Sequence, residues 1–249
     1  CHCHAFPNLE QYSQQLPPKI RNFVQSKAPV VQEKAQSILN ALPVKAPKIP
    51  IQPKHLADIR KNGPGLLHKG LEYFSSFSMA GPILVKGTLG HLMESMQRNN
   101  IEKSVVIAAP PVASNEWLLE RAAQYPNQIV PVAHTPTLRA EAGEKEWTEA
   151  FEALAQQGAK GFKIHPNVSP YPSHHLAYET LFETAQRYGL FVIIHTGCFT
   201  IPSYTNQRPS EPAMFAEYFE RYRDVRVCLA HMNRDHPERA WDIMNRYAN

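Results

Sequence analysis

From residue 104 onward, short apolar runs alternate with amphipathic stretches, and this alternation limits the folds open to the chain. The runs are SVVIAAP (104–110), IVPVAHTP (129–136), GFKIHP (161–166), LFVIIHTG (190–197) and VRVCLAH (225–231). They are rich in Val and Ile, and apolar residues fall on both faces. Strands buried on both sides of a parallel sheet read this way. Helical patterns lie between them, over Asn115 to Tyr125, Glu144 to Gln157, His175 to Tyr188, Glu211 to Tyr222 and Pro237 to Tyr247. Gly158 and Gly189 stand where helices would stop, and Pro212 suits a first helical turn. Leu89 to Asn99 predicts the helix leading into the run at 104. Strand starts recur every 25 to 35 residues or so, the length of a βα repeat. With one further strand at CHCHAF, the pattern predicts a single α/β barrel domain over 1–249.

Residues 10–85 break the rhythm. They are rich in Pro, Lys and Gln, as in LPVKAPKIPIQPK (42–54). They read as a helical insertion after the first strand, either a solvated excursion or a lid or oligomer contact over the barrel mouth. A homodimer is an allowed partner state.

The chain has 249 residues, 43% of them hydrophobic, and a formal charge of +4. Its basic residues are scattered outside 45–69, which argues for solubility rather than nucleic-acid binding. Four cysteines in a chain of this length do not make a disulfide framework, so a reduced, cytoplasmic protein is expected. No apolar run is long enough for a membrane span, and no signal peptide precedes CHCHAF. The missing initial methionine suggests a few native residues in front of Cys1.

Alternation in a strand puts His2 and His4 on one face and Cys1 and Cys3 on the other. All four cannot bind one ion without a sharp bend, so a zinc-finger reading is poor. The pair gains meaning from the other histidines. His134, His165, His195 and His231 stand at or near the carboxyl ends of four apolar runs, and those ends meet at one mouth of a parallel barrel. Neutral imidazole is the commonest zinc ligand, so a metal site is expected there. His134 reads as a supporting or core residue. His174 and His175 fall in a loop overhanging the mouth, His91 is structural, Cys198 lacks a positioned base, and Arg234 is an anion contact or a surface residue.

CHCHAF, GFKIHP, VIIHTG and VCLAH, in that order, resemble the amidohydrolase superfamily, and within it the amidohydrolase-related branch of decarboxylases and lactonases. The resemblance covers the first six residues and about 86–249. It implies a TIM-like (β/α)8 metal-dependent barrel with His2, His4 and His195 as metal ligands and His231 as the catalytic histidine. It also implies one divalent ion, with zinc the default and manganese, iron or cobalt alternatives. The family's eighth-strand aspartate has no counterpart here, and a barrel incomplete at the C-terminus, lacking strands seven and eight, is expected.

Lys163 and His165 are candidates for binding a substrate carboxylate, with a structural lysine paired to an internal acid as the alternative. The expected activity is hydrolysis of an amide, lactone or related bond in a small carboxylate-bearing substrate. Non-oxidative decarboxylation and a non-catalytic binding barrel are the alternatives.

Overall fold

The computed structural model describes residues 2–3, 87–110, 113–139, 141–167, 169, 171–197, 210–234 and 236–247. The chain divides into two compact units, one of residues 1–4 with 96–249 and the other of residues 5–95. The expected insertion at 10–85 and His4 lie outside the described residues.

The described residues form a parallel sheet of six strands in sequence order. They are β1 (His2–Cys3), β2 (Ser104–Ile107), β3 (Ile129–His134), β4 (Gly161–Ile164), β5 (Phe191–His195) and β6 (Val227–Ala230). Helix α1 (Leu89–Arg98) precedes β2. Helices α2 (Asn115–Ala122), α3 (Glu144–Gln156) and α4 (Leu176–Tyr188) follow β2, β3 and β4 in turn. After β5 come a 3-10 turn (Pro212–Phe215) and α5 (Ala216–Arg221); β6 is followed by a second 3-10 turn (His231–Asn233) and α6 (Pro237–Arg246). An unbroken order of parallel strands with a helix between neighbours is the topology of a (β/α) barrel. No helix among the described residues is long and apolar enough to cross a membrane.

The strands are shorter than the apolar runs that contain them. His165 and His231 each lie one residue beyond a strand end, in turns rather than in the sheet. The helix expected over Glu211 to Tyr222 is split. Pro212–Phe215 winds as a 3-10 turn, and Phe215, at φ −110° and ψ 6°, leaves helical geometry before α5 begins.

The two sheet faces have different neighbours. Ala133, Phe162, Ile164, Val192 and Ile194 pack against the helices, where Trp147, Phe151, Leu181 and Phe182 are fully buried. Trp147 meets Phe151 in a stacked pair at 5.9 Å and Tyr171 edge-on at 5.1 Å. The opposite, inner face gathers Ile107, Val132, Ile193 and Ala230, with Val105 and Phe191 against them. This is the period-two alternation of strands with both faces covered.

Local chemistry sets the helix ends. Ser114 accepts a hydrogen bond from the Trp117 N–H at the start of α2, and His175 Nδ1 accepts one from the Ala177 N–H at the start of α4. Helix α4 stops at Gly189, which sits at φ 64°, ψ 33°. No atom lies within 4 Å of the position a Cβ would take there, so the demand is purely conformational. Gly189→Ala is expected to lower stability by roughly 1 kcal/mol through left-handed strain. A urea melt reads it, and an unchanged midpoint would show that the cap tolerates a side chain.

Candidate active site

The carboxyl ends of β3 to β6 bring the sequence-predicted histidines together. Strand pairing sets His134 beside Lys163, Lys163 beside Ile193, and Ile193 beside Cys228, in one line across four strands. Ile193 belongs to the inner face, so Lys163 stands on that face too. One step further along, His165 lies face to face on His195, with ring centroids 4.0 Å apart and planes 12° apart. His195 in turn meets His231 edge-on at 4.7 Å.

Lys163 is 2% exposed, and its Nζ is buried with no hydrogen-bond partner among the described residues. No carboxylate among the described residues acts on it. Burial holds its pKa down to about 8 from an ordinary 10.5, and only the neighbouring Cys228 pushes the other way. The structural alternative, a lysine paired with an internal acid, therefore finds no acid among the described residues.

His165 is pushed to a pKa of about 2, first by burial and then by His195, Lys163 and His134. It is a neutral imidazole at any physiological pH. His231 is lowered as well, by burial first and then by Lys163 and Arg234. Histidine clusters of this kind suit a divalent metal, because a ligating imidazole must present a bare nitrogen lone pair. His195, 6% exposed, ends β5 in the middle of this cluster.

Strand β1 pairs His2 with Val105 and Cys3 with Val106. Val105 packs with the inner-face cluster, so position 2 falls on the register line of that face. Among the described residues, no three His, Cys, Asp or Glu side chains gather as a metal cluster. His4 and Cys198 lie outside them.

Three supporting residues escaped the sequence reading. Asn115, at the start of α2, grips the backbone of His134 twice. Its Oδ1 accepts from the His134 N–H at 2.7 Å, and its Nδ2 donates to the carbonyl at 3.0 Å. The Thr196 hydroxyl donates to the Ala230 carbonyl at 2.7 Å and accepts from the Asn233 N–H at 2.9 Å. Asn233, 2% exposed, donates from Nδ2 to Glu211 at 3.3 Å and to the His236 carbonyl at 3.1 Å. Isolated Asn and Thr residues carry no signal in a single sequence; only the strand ends they tie together give them one. The loop histidines sort differently. His175 caps α4 and stacks on Tyr171 at 4.6 Å, so its role is structural.

The family model for amidohydrolases matches residues 1–249. The chain belongs to the amidohydrolase family. Among solved structures, an uncharacterized TIM-barrel protein from Bordetella bronchiseptica aligns at 20% identity and a TM-score of 0.56, over 68% of this chain and 59% of its own. A 5-carboxyvanillate decarboxylase from Novosphingobium aromaticivorans, solved with manganese and a nitrobenzoic acid ligand, aligns at 12% identity and a TM-score of 0.50. That alignment covers 76% of this chain and 64% of the decarboxylase. At these identities the likeness establishes the fold, that of a TIM barrel. This amidohydrolase-family chain spans under two thirds of the length of either structure. No curated protein matches it in sequence.

Proposed function

We propose that this chain carries most of the active site of a metal-dependent enzyme that hydrolyses a carbonyl-type bond in a small, carboxylate-bearing substrate. The observation that carries this reading is Lys163, a buried ammonium with no acid beside it among the described residues, next to a cluster of imidazoles at the carboxyl ends of parallel strands. A buried cation left without a counter-charge lowers the stability of the fold, and an anionic ligand would supply the missing charge.

His2, His4 and His195 would hold one divalent ion, for which zinc is the first choice and manganese the second. Such an ion supplies Lewis-acid polarisation and a water acidic enough to attack at neutral pH. The residues of the chain then have separate tasks. The Lys163 ammonium binds the substrate carboxylate and so fixes which carbonyl faces the cluster. His165, held neutral, lends a hydrogen bond to the same ligand. His231, at the edge of the cluster, moves a proton at the substrate oxygen as charge develops there. The insertion at 10–85 would serve as a lid or dimer contact.

Decarboxylation is the second reading, and Lys163 favours it, since a carboxylate that departs as CO2 must first be bound and oriented. A panel of small lactones, amides and aromatic carboxylates, with His231→Gln beside the parent, tests the proposal. Turnover of at least one class is expected, with kcat lowered about 100-fold or more in the variant. Release of CO2 without water addition would select the second reading. No turnover of any class by metal-loaded full-length protein would favour a binding barrel.

A further inference from the structure

His231 stands at a position that strand geometry alone would waste. Ala230 pairs with His195 and packs with the inner-face cluster. In a strand that ran on, the next residue would turn to the opposite face, toward the helices. The ring of His231 nevertheless lies 4.7 Å from that of His195. The backbone makes the correction. His231, Met232 and Asn233 stand at φ 69°, 48° and 50°, three successive non-glycine residues in the left-handed region. Such residues are rare singly and strained in series, and they persist only where their surroundings impose them.

The surroundings that impose them are specific. The Thr196 hydroxyl bridges the last strand carbonyl, that of Ala230, and the N–H of Asn233, spanning the turn with one oxygen. Gly197 sits beside it at φ 89°, and a Cβ there would come within 2.9 Å of the Arg234 nitrogen and 3.0 Å of the Asn233 carbonyl carbon. The far end is tied by Asn233 Nδ2 to Glu211, which also pairs with Arg239 at 2.8 Å.

We propose that Thr196, seated on Gly197 and completed by Asn233, is the positioning residue that holds the left-handed turn and swings His231 onto the inner face. The functional weight of this rests on the reading of His231 as the proton-moving residue; the clamp itself does not. Thr196 follows His195 directly, so one strand end would present a metal ligand and orient its catalytic neighbour.

The test is the Cε1–H resonance of His231, observed at one fixed alkaline pH in the full-length protein and identified by its loss in His231→Gln. Its shift reports the ring current of His195. Thr196→Val, nearly the same shape without the hydroxyl, is expected to move that resonance to the position of a histidine that lies beside no other ring. It should also lower kcat with little change in KM. Thr196→Ser, which restores the oxygen, is expected to bring both back. A His231 resonance unmoved by Thr196→Val overturns the proposal. If that variant fails to fold, Thr196→Ala removes the same hydroxyl and leaves room for water; an unmoved resonance there overturns it equally. The two readings separate cleanly. Undiminished turnover in His231→Gln would refute the role of His231 and leave the clamp standing, whereas an unmoved resonance would refute the clamp alone.

Discussion

Lys163→Met is expected to make the protein more stable at neutral pH and to cost it the binding of carboxylate ligands. The lysine pKa falls from 10.5 to about 8 in the fold, with burial as the main cause. At about 1.4 kcal/mol per pKa unit, keeping this ammonium charged and buried costs roughly 3 kcal/mol. The sign follows from proton counts. Below pH 8 both states hold the proton and the cost is full. Between 8 and 10.5 the unfolded chain holds a proton that the folded chain has released, so stability rises with pH. Above 10.5 the cost has gone. Methionine fills much the same volume without the charge. Urea melts at pH 7.5 and pH 10 should therefore converge for Lys163→Met and differ for the parent. Equal pH dependence in the two proteins would mean that the charge is already balanced by a group outside the described residues. A residue that weakens the fold and strengthens ligand binding is selected for function, so the two measurements belong together.

His195→Ala is expected to empty the proposed metal site. The parent should carry about one equivalent of divalent ion, as for other mononuclear sites. Removing one imidazole should weaken affinity by well over about 100-fold, since even the residues that orient ligands are worth ~10- to 100-fold. A His2→Ala, His4→Ala double variant should behave alike. Elemental analysis of the purified proteins checks both. Metal retained by the double variant but lost by His195→Ala would move the site toward His165 and His231. Metal absent from the parent and restored by no divalent ion would remove the metal from the mechanism altogether.

Much of this architecture is legible in one sequence because each part of the signal is local. Apolar runs such as GFKI and FVIIH are short, β-branched and bounded by Gly or His, so strand type and order follow from periodicity. Gly189 and Pro212 mark helix ends through their own backbone limits. The grouping of His165, His195 and His231 is foreseeable too, because parallel strands joined in order must bring their carboxyl ends together. The exact strand ends were less legible. Whether His231 ends a strand or begins a turn depends on hydrogen bonds from Thr196, 35 residues earlier in the chain.

The sequence by itself determined the class of fold, the order of the strands and the presence of histidines at their carboxyl ends. It could do so because these depend on side-chain alternation and on residues a few positions apart. Only the tertiary structure decided that Lys163 is buried with no acid beside it among the described residues, that His165 stacks on His195, and that His231 is turned back to the inner face. Those three depend on desolvation and on contacts between strands distant in sequence, and neither can be summed along a single strand.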